Sequence, residues 1–373
     1  MPVLDHSRAR DGTLEAKVLR GERVTAQEAL WLHERAELGW LGALAHEVRL
    51  RHAPGFRVTY NVDRNINYTN ICTARCRFCA FYLPETSPHG YVLSWPEMRE
   101  KIRELREIGG NQILLQGGLH PDYRVEWYEG MLRRMKDAFP GLWVHGFSAP
   151  EIVAVAALSG LSFHDTLLRL REAGLDSMPG GGAEILVPPV REEIAVGKCD
   201  GREWIEVHRQ AHRVGLPTTA TMMFGSIEAP EHRIEHLSWL RDLQDETGGF
   251  TAFICWPFQP DHTALKRRVP RPATAAEYLR LNAVARVFLD NVPHLQSSWV
   301  TMGTKIGQLA LYYGCDDFGS VMMEENVVSA AGTVYSLDEE TIRREVERAG
   351  FRPVRRNMRY DLLEETEVEA AAS

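Results

Sequence analysis

A parallel (β/α)8 barrel of the TIM type is the α/β fold this sequence predicts, and three observations predict it. From residue 65 onward, short apolar runs alternate with amphipathic helical stretches. Eight such runs read as strands. No antiparallel hairpin signal joins them, so each strand is connected to the next through a helix, as parallel neighbours require.

The elements follow in order. Residues 1–58 form an N-terminal helical segment, with helices over 12–52 laid against a barrel of residues 59–326. The first strand covers 65–71. Ser94 and Glu97 make a capping box for a helix whose Met98, Ile102, Leu105 and Ile108 share one face, and Gly109-Gly110 end it. Gln112–Gln116 is the next strand, and 142–147 follows, with Ser148 and Glu151 capping the helix after it. Further strands are read at 177–178, Thr218–Phe224, 250–258, 295–300 and 321–323. The C-terminal extension, 327–373, holds a helix over 338–349 and ends in an acidic, then Ala-rich tail over 364–373 that reads as frayed.

Composition narrows the function. The chain has 373 residues, 44% apolar and 25% charged, enough for a large core. A net charge of -8 and an isoelectric point near 6.0 argue against a nucleic-acid partner and leave small molecules. The first residues lack the apolar core of a signal peptide, and the longest near-apolar stretch, 152–163, is too short to span a bilayer. A cytoplasmic protein without a membrane partner is expected. The nucleophile motif G-x-S-x-G and the phosphate loop G-x-x-x-x-G-K-[ST] are both absent, so hydrolase and NTPase readings have no support.

The chemistry is carried by Cys72, Cys76 and Cys79, three thiols within eight residues on the loop after the first strand. Structural zinc would call for a fourth Cys or His, and no second half-site is visible. Cys199, Cys255 and Cys315 are scattered singly and read as buried thiols. Three ligands on one loop leave an iron–sulfur cluster with one iron open to a non-protein ligand. The pairs His208/His212 and His232/His236 have helical i, i+4 spacing, but the Glu of H-E-x-x-H is missing, so an outer-face helical role is expected for them.

The spacing Cys72-x3-Cys76-x2-Cys79, with Phe78 before the last Cys, resembles the signature of the radical S-adenosylmethionine enzymes. That resemblance implies a 4Fe-4S cluster on the three cysteines, with S-adenosylmethionine on its open iron as the source of a 5'-deoxyadenosyl radical. The barrel then orients the radical against one C–H bond. The resemblance further implies cofactor contacts from Phe78, Tyr82, Gln116, Gly117, Gly118, Ser148, Glu184 and Arg191. Plain readings stand beside these: Gly117-Gly118 as a turn, Ser148 as a helix N-cap, and Glu184 as a carboxylate paired with a cation such as Arg191.

From about Val58 to Phe351 the chain also resembles the radical enzymes of the futalosine route to menaquinone. The matching stretches include residues 63–70, Gly117-Gly118-Leu119-His120-Pro121, 177–184 and 244–250. Four later ones, 220–225, 253–260, 296–301 and 323–329, are similar to the family of cyclic dehypoxanthine futalosine synthases. This implies hydrogen abstraction from ribose C4' of dehypoxanthine futalosine, addition of the carbon radical to the substrate's benzoate ring, and loss of one electron and one proton. Candidates by position are Glu324, Glu325 or His145 for the proton, and Arg64, Gln259 or Thr301 for substrate oxygens. A flavodoxin or ferredoxin is the implied electron donor. Aminofutalosine synthase, another radical enzyme of the group, and a non-enzymatic Fe-S protein remain as alternatives.

Overall fold

Alternation of inward and outward side chains and short helical crossovers build a barrel-like α/β molecule, seen in a computed structural model that describes residues 11–333 and 335–363. The tail expected to fray, 364–373, lies outside the described residues, as do residues 1–10 and 334. Nine strands are present among them: β1 (Arg57–Asn61), β2 (Asp63–Asn67), β3 (Gln112–Gln116), β4 (Trp143–Gly146), β5 (Thr218–Phe224), β6 (Phe250–Pro257), β7 (His294–Gln296), β8 (Asp317–Ser320) and β9 (Arg352–Arg355). They form a sheet in the order β5-β6-β7-β8-β1-β9 and a second in the order β2-β3-β4, and every ladder between them is parallel.

Isolated bridges join the two sheets. Ser177 pairs with His145 and Met178 with Thr218, so residues 177–178 occupy the fourth position, while Met323 pairs with Arg64 on the other side. The helical crossovers cover the outside. Their caps are those expected: the Ser94 hydroxyl donates to Glu97 and the Ser148 hydroxyl to Glu151, each at 2.6 Å. The N-terminal helices Ala26–Arg35 and Leu38–His52 pack on helix Ala275–Phe288. Buried Arg49 ties them to the barrel by donating to the carbonyls of Cys315 at 2.8 Å and Arg57 at 2.6 Å.

Several elements differ from the expectation. The first barrel strand spans Asp63–Asn67 rather than 65–71, because the chain beyond Asn67 leaves the ladder for isolated bridges to Val92 and Leu83. The run 295–300 is a strand only to Gln296. The amides of Thr301 and Met302 turn back to the Ser298 carbonyl, which makes Trp299–Met302 a short helix. The eighth strand lies at Asp317–Ser320, ahead of 321–323. Strands β1 and β9 were not anticipated. β9 contains Pro353, which the sheet tolerates because β9 is an edge strand. Ile108 is half exposed rather than buried with Met98, Ile102 and Leu105, because it is the C-cap, where the helix has already ended.

The histidine pairs are also placed differently. His208 and His236 face inward and are fully buried. His208 and His212 both bond the Thr218 hydroxyl, at 3.0 and 2.8 Å. His236 accepts from the Leu186 amide at 3.1 Å and bonds the Thr221 carbonyl at 3.0 Å, a bridge between helix and sheet.

Candidate active site

The loops after the strands surround a cavity of about 400 Å³ at the end of the barrel where the Cys loop sits. Backbone strain gathers there. Phe147 after β4, Glu184 after residues 177–178, and Met322 and Glu324 after β8 are non-glycine residues with φ of 59°, 42°, 46° and 63°. Such conformations cost free energy and cluster at functional sites.

Cys72, Cys76 and Cys79 all line the cavity. Their loop is pinned at several points: the amides of Arg75 and Arg77 donate to the carbonyls of Val196 and Ile194 at 2.8 Å, and Thr73 to Leu119 at 3.0 Å. The Leu119 amide donates to the Cys72 sulfur at 3.2 Å. Burial pushes the Cys76 thiol up to about 12 despite the nearby Lys198 charge. Among the described residues, no group of three or more His, Cys, Asp or Glu side chains is arranged to hold a single metal ion. A cluster, in which each thiolate addresses a different iron, does not ask for that convergence.

Gly117 and Gly118 exist for close approach. A Cβ on Gly117 would lie 2.5 Å from the Tyr68 ring, and one on Gly118 would lie 2.1 Å from the Ile71 carbonyl oxygen at the root of the Cys loop. Their amides are already used, Gly117 on Glu151 at 3.1 Å and Gly118 on the Thr69 carbonyl at 2.9 Å, which leaves their carbonyls for a ligand. Ser148 serves as an N-cap, with both its amide and hydroxyl on the buried Glu151 carboxylate, which also receives the Tyr68 hydroxyl at 2.6 Å.

Glu184 is 5% exposed and lines the cavity. One of its oxygens accepts from Lys198 at 3.1 Å; the other is buried without a hydrogen bond among the described residues, with Arg191 at 3.6 Å. Lys198 was missed by sequence reasoning, since nothing in Gly197-Lys198-Cys199 marks it. It sits 5.0 Å over the Phe78 ring, and burial, which opposes its charge, is outweighed by Glu184 and the Cys76 thiol.

Three expected contacts lie outside the cavity wall. Arg191 donates to the carbonyls of Gly182, Ala183 and Cys199 at 3.0, 2.7 and 2.7 Å, and so clamps the glycine loop from behind. Arg64 points outward because it alternates with inward Asp63 and Asn65. It pairs there with Glu324 at 2.6 Å and with Glu104. Glu324 is consumed by Arg64 and Lys101.

Phe78, Tyr82, Gln116, His145, Gln259, Thr301 and Glu325 do line the cavity. His145 bonds the Ser177 hydroxyl at 2.7 Å, and burial, aided by the Arg356 charge, brings its pKa down to about 3, so it is neutral. Met223 and Met322 also line the wall. From the base, Arg356, Met358 and Tyr360 of the C-terminal segment reach the cavity, which the sequence did not foretell.

Comparison with known proteins fits this geometry. A family model described as the radical SAM superfamily matches residues 66–240, and one described as the CofH/MqnC C-terminal region matches 247–369. Over 362 residues, 97% of each chain, the sequence is 44% identical to cyclic dehypoxanthine futalosine synthase of Halalkalibacterium halodurans. The chain belongs to the radical SAM superfamily, in the family of these synthases. Its similarity to the Streptomyces coelicolor synthase is also 44%, across 97% of this chain and 88% of that one. Aminodeoxyfutalosine synthase of the same organism is 40% identical across 95% of this chain and 94% of that one. Among solved structures, methylornithine synthase superposes with a TM-score of 0.72 at 19% identity, covering 96% of this chain and 99% of that one, a likeness of fold.

A radical SAM enzyme uses a 4Fe-4S cluster and S-adenosylmethionine. The residues present suit both: three thiols on one pinned loop, an amide aimed at a thiol sulfur, free glycine carbonyls, and an unsatisfied buried oxygen on Glu184. No single helix among the described residues is long and apolar enough to cross a membrane.

Proposed function

We propose that this enzyme converts dehypoxanthine futalosine to cyclic dehypoxanthine futalosine in menaquinone formation. The observation that carries this reading is the end-to-end identity of 44% to the Halalkalibacterium halodurans synthase, alongside a Cys loop that opens onto the barrel cavity. When bound, cluster and S-adenosylmethionine would supply a primary carbon radical able to abstract hydrogen, and the substrate position it would be directed at is ribose C4'. Cys72, Cys76 and Cys79 would hold the cluster. The Gly117-Gly118 carbonyls and Glu184 would hold the cofactor, together with Phe78 and Tyr82, while Ser148 keeps the loop after β4 in place. Arg191 and Lys198 act through Glu184, the first by fixing its backbone and the second by its charge.

Burial of the substrate in this cavity limits its contact with water while the substrate carbon radical adds to the ring. Gln259 and Thr301, which line the cavity, are assigned as hydrogen-bond partners for substrate oxygens. Neutral His145 accepts no proton readily, and Glu325 is tied to backbone amides, so neither is assigned the ring proton here. A flavodoxin or ferredoxin supplies the electron, and the reaction takes place in the cytoplasm.

The test is anaerobic: cluster-loaded enzyme, dithionite, S-adenosylmethionine and dehypoxanthine futalosine, followed by mass analysis. Free 5'-deoxyadenosine with a product lighter than the substrate by two hydrogens is the expected result. Retention of the adenosyl group in the product would move the assignment to the aminodeoxyfutalosine synthase reaction.

A further inference from the structure

Below the mouth, the wall made by β1 and β2 carries polar side chains that the cofactor leaves unused. Along this stretch Asn61, Asp63, Asn65 and Asn67 line the cavity, while Val62, Arg64 and Ile66 do not. Inward positions of such barrels are ordinarily filled by branched apolar residues. Here the Oδ1 atoms of Asn61, Asp63 and Asn65 are all buried and, among the described residues, accept no hydrogen bond. Asp63 and Asn65 are successive inward residues of β2, about 6.6 Å apart, and Asn61 ends β1 just before them, so the three oxygens lie on one stretch of wall leading toward the Cys loop.

Ser320 and the Met322 amide serve the Asp63 carboxyl, and two other donors near this stretch are committed elsewhere. Arg356 gives its guanidinium to both oxygens of buried Asp317 and to the Asn357 carbonyl. His145 is turned to Ser177. Burial pushes the Asp63 carboxyl up to about 6 against the pull of Ser320 and Arg356, which leaves it ionised, and purely an acceptor, at neutral pH. Buried acceptors without donors cost folding free energy, and a ligand that brings donors recovers it. The ligand chemistry that fits carries several O–H groups and no negative charge, because a carboxylate in this position would face Asp63 and a row of lone pairs.

Resting on the function proposed above, we infer that Asn61, Asp63 and Asn65 form a hydroxyl-recognition subsite for the sugar end of the substrate. Its carboxylate-bearing ring then lies along the opposite wall, where Trp256, Gln259, Trp299 and Thr301 stand. The subsite discriminates sugars by their hydroxyls, independently of the cofactor.

The experiment uses cluster-loaded enzyme with S-adenosylmethionine and no reductant, so that nothing turns over. Equilibrium dialysis compares dehypoxanthine futalosine with its 2'-deoxy and 3'-deoxy analogues. Wild type is expected to bind the parent about tenfold more tightly than at least one analogue, the size of one buried hydrogen bond. In Asp63→Leu and Asn65→Leu that ratio falls toward unity, and the shape-conserving Asp63→Asn, which covers any folding defect of the leucine variants, lowers it partway. Equal affinities in wild type, or a ratio that survives in all three variants, overturn the subsite. Turnover without discrimination removes the subsite and leaves the function standing. If wild type turns over no substrate, D-ribose against 2-deoxy-D-ribose by saturation-transfer NMR gives the ratio. Its loss in Asp63→Leu keeps the subsite, and its persistence there removes it.

Discussion

Glu325 shows how a carboxylate at a strand end is spent on backbone. Its two oxygens accept the amides of Val327 at 3.0 Å, Val328 at 2.8 and 3.0 Å, and Ser329 at 2.8 Å, while burial, the larger effect, raises its pKa. Glu325→Ala strips these acceptors and is expected to cost about 1–3 kcal/mol locally, read as faster proteolysis within 325–333. Glu325→Gln keeps half of them and leaves the pH profile of turnover unchanged. Loss of turnover in a protease-resistant Gln variant would put Glu325 in the chemistry instead. The sequence placed polar residues at this mouth correctly but not their facing. Arg64 is a candidate from a position just ahead of the expected strand 65–71, but β2 already begins at Asp63, and a stretch written Asp-Arg-Asn-Ile-Asn has too few apolar residues for patterning to show which face is inward.

At the scale of elements, the Cys loop and the turn after β3 are two parts of one joint. Gly118→Ala would drive a Cβ into the Ile71 carbonyl, which is backbone and cannot swing away, so the Cys loop itself must shift. The expected outcome is a folded protein with sharply reduced iron and sulfide after reconstitution. Gly181→Ala is the control: its nearest neighbour is the Gln116 side-chain amide nitrogen, 2.6 Å away and able to turn aside, so cluster content stays near wild type. Equal iron content in the two variants would separate the glycine turn from the cluster. Helices with capping boxes and strands with continuous apolar runs were legible, since local chemistry alone specifies them. The ladder of β1 with β8 and β9 was not, because it joins residues nearly three hundred positions apart, and Ser177–Met178 is a strand only by the single bridges on either side.

Over the whole molecule, the C-terminal segment belongs to the barrel rather than hanging from it. β9 extends the sheet, and Arg356 enters the base to pair with Asp317, both almost fully buried. Arg356→Met would strand a buried carboxylate on Thr59 and the Gly319 amide, and a loss of about 3–5 kcal/mol in urea unfolding is expected. A variant of wild-type stability would mean that Asp317 finds water there.

The same burial makes the fold sensitive to acid. His145, His208 and His236 are held neutral, with pKa values of about 3, well below the ordinary value, and about 3, and in each case desolvation is the main cause. His236 makes the reason concrete: its Nδ1 accepts from Leu186, so adding a proton there breaks the bond that steadies the chain just beyond Glu184. The unfolded chain takes up protons near pH 6.5 and the folded one does not, so stability is present above 6.5 and is lost as pH falls toward the folded values. Each histidine contributes up to about 1.4 kcal/mol in the first unit below 6.5. Asp63 and Glu151, whose pKa values burial raises, act in the opposite direction, and Asp63 is half protonated near 6, so it offsets part of the loss from the three histidines without cancelling it. Urea midpoints should therefore drop from pH 7.5 to 5.5, and His236→Gln, destabilised at both, should show the smaller drop. A midpoint that does not move between these pH values would mean that the unfolded chain keeps its histidines neutral as well, and the burial argument would lose its reference state.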